Sequence, residues 1–231
     1  MNFLTDPLSR GYARVTGLFY AIIAVAGFFA ILYVPNQLFT PGDGADSLAA
    51  IAREWCLFRA GVAGDVAVML AELGATTMLY FMIRHVNHTL SVAAALARLL
   101  MVAVMATMLF FYAGAQALAD GVITGLAEET RAALGLLLLT MHDTGIMIWQ
   151  LFFWVHLLIL GQLVARSGLY PRLLGHAMSL GSFGYLFDSI NKFIRPDGSM
   201  LGDLTGLLLI VVSIAEIGFA LWLIIRGPRR A

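Results

Sequence analysis

From Ala132 to Ala165 the chain is almost unbroken apolar sequence, interrupted chiefly at His142, Asp143, Gln150, His156 and Gln162. About 20 residues suffice to cross the hydrocarbon of a bilayer, so this run is a membrane-spanning helix before anything else. Arg166 ends it. Ser167, Gly168 and Pro171 then make a turn, because glycine adopts unusual dihedrals and proline suits only the first turn of a helix. A second apolar stretch starts at Pro171 and reaches about Phe193. Arg166 and Arg172 flank the turn, and Tyr170 stands at the boundary, where interfacial aromatics collect. Two spans joined by so short a loop are antiparallel neighbours.

The rest of the chain repeats this grammar. Of its 231 residues 61% are hydrophobic and 12% charged, against roughly 25% charged in soluble domains. The expected fold is all-α: a single integral membrane domain over 1–231, a bundle of six transmembrane helices with short loops. The spans are placed at about 15–34, 58–82, 93–118, 140–165, 173–193 and 204–225. The first is read as a retained helix, since its apolar run is long and lacks a clear small-x-small cleavage site. It is expected to stop before Pro35. Residues 35–46 read as turn, and Ser47 to Cys56 as a short helix capped by Asp46 or Ser47, with Trp55 at the interface. Residues 195–203 read as another turn. Cys56 is the only cysteine, which rules out an intrachain disulfide and a thiolate metal cage.

Lys and Arg set the orientation. One side collects Arg10, Arg14, Arg84, Arg166, Arg172, Arg226, Arg229 and Arg230. The other collects Arg53, Arg131, Lys192 and Arg195, with most loop acids. Both termini are therefore expected in the cytoplasm of a multi-pass membrane protein. No basic patch is large enough for nucleic acid.

Ionisable groups inside spans cost at least a few kcal/mol unless they face protein or water, so they are where function is sought. Depth along the helices groups Arg59, Asp65, His142, Asp143, Asp188 and Asn191 in the outer half. Glu72 shares a face with Asp65, seven residues away. These seven are the ligand-binding candidates. Arg98 reads as a lone charge near the inner end of span three, Glu216 as a charge at mid-span, and His156 as a mid-depth helix histidine; these three are taken as structural or in-span charges, although a transport path could use Arg98 and Glu216 with Asp65 and Glu72 at successive depths. The sharp reading of the outer set is a polar cavity in which two carboxylates beside a histidine bind a ligand or relay protons. The plainer reading pairs Arg59 with Asp65, Asp143 or Asp188 and leaves the set as a staple between helices.

The histidines do not form a metal site. His142 and His156 are ~21 Å apart along one helix, and His85 and His88 have no adjacent third ligand. A bis-histidine haem remains open if His176 joins one of them, but His176 lies close to the basic turn, and hydrogen-bonded helix histidines are the simpler reading. No metal or other cofactor is expected.

The residues Arg166-Ser167-Gly168-Leu169-Tyr170-Pro171-Arg172-Leu173-Leu174-Gly175, with Phe152-Phe153, Leu160-Gly161 and Gly184-Tyr185-Leu186, resemble a bacterial membrane family catalogued as domain of unknown function 4386. Arg14-Val15-Thr16-Gly17-Leu18, Leu57-Phe58-Arg59 and Arg98 fit the same pattern. The resemblance implies a six-helix, multi-pass protein of the bacterial inner membrane and supplies no catalytic residues.

The function expected is binding or transport of a small polar or amphiphilic ligand through an outward-facing cavity between helices. Two other readings stand beside it: an intramembrane enzyme acting on a lipid-like substrate, and an accessory subunit of a larger membrane complex. No nucleophile and base are legible together, so enzymatic activity stays undecided. The expected partners are membrane lipids, an unidentified small molecule, and a second copy or another membrane protein.

Overall fold

The computed structural model describes residues 5–194 and 200–229. Arg195, Arg230 and most of the expected turn at 195–203 lie outside the described residues. Among those described, helices carry nearly all the regular structure, and the only β-type pairing is an isolated bridge between Thr40 and Asp43. The helices are α1 (Arg10–Gly27), continued by a π-helical turn (Phe28–Tyr33) into α2 (Val34–Leu38), then α3 (Gly44–Arg53), α4 (Trp55–Ile83), α5 (His88–Ala119), α6 (Glu128–Arg166), α7 (Arg172–Gly181), α8 (Phe183–Ile194) and α9 (Met200–Ile225).

Five of these stretches are long and apolar enough to cross a membrane: Arg10–Leu38, Trp55–Ile83, His88–Ala119, Glu128–Arg166 and Gly202–Ile225. Their outward faces are largely apolar. On α9, Leu207, Ile210, Ile214, Ile217 and Leu221 are all more than half exposed and recur at helical spacing, as befits a face turned to lipid rather than water. The stretch expected as a fifth span, 173–193, is interrupted at Ser182 into α7 and α8, each too short to cross alone.

Two local expectations are corrected. The first span does not stop before Pro35. Proline lacks an N–H and crowds the carbonyl four residues back, and the wider π turn ahead of it, with the Val34 N–H reaching Phe29 O, lets the helix continue to Leu38. The short helix α3 starts at Gly44 because Asp43, not Asp46 or Ser47, caps it: its carboxylate accepts the Asp46 N–H at 2.9 Å.

The chain divides into two compact units. Unit 1 comprises 1–21, 71–102 and 147–231. Small residues let its helices approach. A methyl group on Gly175 would meet Gly161 O and, at 2.6 Å, Ala165 N, while Ser179 Oγ donates to Leu158 O at 3.0 Å, so α6 and α7 touch almost backbone to backbone. Gly181 and Gly184 lie similarly against Val212 and Leu209 of α9. Gly168 takes φ +70° in the α6–α7 turn, a conformation other residues avoid. Tyr170 is fully buried there, edge-on to Phe219, and burial pushes its phenol up from the ordinary value.

One end of unit 1 gathers the start of α1, the residues after α9 and the α6–α7 turn. Gly227 packs on Arg10 and Ala13, Arg14 Nε donates to Ile224 O, Arg229 N–H donates to Leu169 O, and Thr16 Oγ1 reaches Met82 Sδ at 3.3 Å.

Unit 2 comprises 22–70 and 103–146. Its core joins Val34, Leu38, Leu48, Ile51, Phe58 and Tyr112 with Leu118 and Leu139. Gly61 and Gly64 of α4 lie against Val34 and Ala30.

Candidate functional site

Each unit holds a buried polar cluster. In unit 1 the centre is Arg98 of α5, whose side chain is completely buried. Its Nε donates to Glu72 Oε2 on α4. Its Nη1 donates to Tyr20 Oη on α1 at 2.8 Å and to His156 Nε2 on α6 at 3.0 Å. The other ring nitrogen of His156, Nδ1, lies 2.8 Å from Ala94 O, which can only accept. The proton therefore sits on Nδ1, and Nε2 is the acceptor of a neutral imidazole. Tyr20 and Phe153 supply ring faces to the guanidinium at 4.9 and 5.8 Å. Of five guanidinium N–H groups, the two on Nη2 have no partner.

Glu216 of α9 stands beside this set, within Coulomb reach of Arg98 and Glu72, and its Oε2 accepts from the Tyr185 hydroxyl of α8 at 3.4 Å. Tyr185 packs on Phe153 at 5.0 Å, and the Ser189 hydroxyl has Met147 O at 2.9 Å and Gln150 Oε1 at 3.2 Å as alternative acceptors.

The expectation that Arg98 sits alone is thus corrected. The reason is depth. Tyr20 is ten residues from the end of α1 at Arg10, Arg98 ten from His88, His156 ten from Arg166, Glu72 eleven from Ile83 and Glu216 nine from Ile225. At helical rise each lies about 14–16 Å from its helix end, so five helices bring one polar side chain each to one level.

In unit 2 the His142 ring lies flat on Tyr112, with centroids 3.6 Å apart and planes 8° from parallel. Phe58 and Phe39 pack against the same tyrosine. Asp65 is buried, Asp65 and Asp143 act electrostatically on Tyr112, and Asp65 Oδ2 has no hydrogen-bond partner. Neither has His142 Nδ1: the nearest carboxylate oxygen, on exposed Asp143, is 3.7 Å away, too long for a hydrogen bond. Further along α5 an open cavity of about 240 Å³ is lined by Ala45, Leu48, Leu118, Glu128 and Arg131.

The remaining candidates have local partners. Arg59 pairs with Asp120 at 3.9 Å and covers the Trp55 ring, so none of its three expected carboxylates is its partner. Asp188 holds Lys192 at 2.6 Å, and Asn191 donates to Thr205 at 3.1 Å; both belong to unit 1, whereas Arg59, Asp65, His142 and Asp143 belong to unit 2. His88 contacts Tyr80 Oη at 3.0 Å, and among the described residues no three His, Cys, Asp or Glu side chains assemble into a metal site. Sequence reasoning missed Tyr20 and Tyr112, which as aromatics in apolar helices carry no signal of their own.

A profile of the family described as Domain of unknown function (DUF4386) matches residues 15–227. An uncharacterized protein of Archaeoglobus fulgidus is 26% identical over 168 residues, covering 73% of this chain and 84% of that protein. No solved structure matches significantly.

Proposed function

The chain belongs to the DUF4386 family, and we propose that it is a six-span inner-membrane protein, both termini cytoplasmic, that binds and carries a small polar or amphiphilic ligand. The reading rests on one observation: Asp65 Oδ2 and His142 Nδ1, on two helices of unit 2, are buried polar atoms without partners, and both residues attend the same Tyr112 ring. A buried polar group left unsatisfied costs about 1–3 kcal/mol, so a pair of them marks a place where a ligand's polar atoms are worth binding. The aromatic wall of Tyr112, Phe58 and Phe39 suits an apolar portion of the same ligand. The cavity at Leu118 and Arg131 supports entry from the outer side, where His142 falls when Arg166 is cytoplasmic.

The six-span topology takes α7 and α8 together as one broken span. The basic end of unit 1, with Arg10, Arg14, Arg166 and Arg229, supports its cytoplasmic placement.

Native mass spectrometry of protein extracted gently from its own membrane tests the reading. A small molecule that stays bound to the wild type and leaves in both Asp65→Ala and His142→Ala supports it. A wild type without bound small molecules, or one whose ligand survives both substitutions, overturns it.

A further inference from the structure

The cluster of unit 1 has a property that the ligand reading does not use. It holds one guanidinium and two carboxylates, and its histidine is neutral by its hydrogen bonds. Glu72 and Arg98 neutralise each other in direct contact. Glu216 is then the surplus acid. It lies nine residues inside the end of the apolar helix α9, half-buried, with a single hydrogen bond from Tyr185. Ionised, it adds an uncompensated charge within the membrane; protonated, it leaves the cluster neutral. Two N–H donors of Arg98 Nη2 stand unpartnered in the same cluster.

We infer that Glu216 is a proton-binding site: it takes up and releases a proton within the membrane while the Glu72–Arg98 pair stays fixed. The groups facing it are Tyr185 from α8, Arg98 from α5, Glu72 from α4 and Tyr20 from α1, and His156 of α6 joins them through Arg98. None of these offers a second cation. Among the described residues no cation pairs directly with Glu216, so its ionised form has the Tyr185 hydroxyl alone in contact, while Arg98 is held by Glu72. The proton site does not rest on the carrier reading. Where that reading holds, the proton becomes its coupling ion.

Dicyclohexylcarbodiimide is the probe. This apolar reagent adds across the O–H of a protonated carboxyl within a membrane and expels nothing, so each labelled carboxyl gains the reagent's whole mass. The full chain is reconstituted in phosphatidylethanolamine–phosphatidylglycerol vesicles, labelled across a pH series and peptide-mapped. The expected label lies on Glu216, falls as pH rises, and is absent in Glu216→Gln, while Glu72, locked to Arg98, stays unlabelled. Tyr185→Phe shifts the pH at which labelling falls. Absence of label on Glu216 at every pH, labelling indifferent to pH, or labelling of Glu72 in its stead overturns the inference. The wild-type map decides even if Glu216→Gln does not fold. Since no ligand enters the assay, its outcome is independent of the mass spectrometry on Asp65 and His142.

Discussion

Arg98 donates from Nε to Glu72, and the two side chains are 0% and 3% exposed. Removing one partner of such a pair strands the other charge, at a cost of about 3–5 kcal/mol, whereas replacing both by apolar residues is often nearly neutral. Glu72→Leu is therefore expected to lower the melting temperature in detergent strongly, and Glu72→Leu with Arg98→Leu to recover most of the loss. A double variant no better than the single one would show that Arg98 holds the fold through Tyr20 and His156 instead.

Gly175 faces Gly161 across the α6–α7 contact with no room for a methyl group. Gly175→Ala is expected to cost about 1–3 kcal/mol by overpacking, since the opposing atoms are backbone and cannot turn aside. Thermal unfolding measures it. A neutral result would mean that the two helices slide apart freely.

Gly168 adopts φ +70° at the turn between the same helices. Alanine there is expected to cost about 1–2 kcal/mol and asparagine less, because a side chain that bonds locally tolerates the left-handed region. Equal losses for Ala and Asn, read as melting temperatures, would point to contacts of the side chain rather than backbone conformation.

Asp65 carries a buried oxygen without a partner. Asp65→Leu is expected to hold or raise stability, by about 1 kcal/mol, while abolishing ligand retention, the signature of a group kept for binding rather than for folding. Loss of both together would make Asp65 a structural residue.

The sequence shows the long apolar helices plainly, five of them of membrane-crossing length, because apolar length is a one-dimensional signal. Neighbours are not one-dimensional. Arg98 reads as solitary until Glu72, His156 and Tyr20 are placed at equal distance from their helix ends, and only the packing says that those helices meet. The outer set shows the converse: counting along the helices groups Asp65 and His142 with Asp188 and Asn191, yet the first two belong to unit 2, while the last two pair with Lys192 and Thr205 in unit 1. The interruption at Ser182 has a sequence trace in Gly181 and Gly184, but small residues also mark helix contacts, and here they do both.

Glu72 and Arg98 lie on consecutive helices, joined by residues 84–87 alone. A hairpin of this kind brings its own counterion. During biosynthesis α4 and α5 can leave the translocation machinery as an electrically neutral pair, with no need to wait for α6 or α9 to shield an arginine from lipid. The arginine of α5 thus has its counterion on the helix immediately before it, and Tyr20, His156 and Glu216 are added to a charge that its own hairpin already balances.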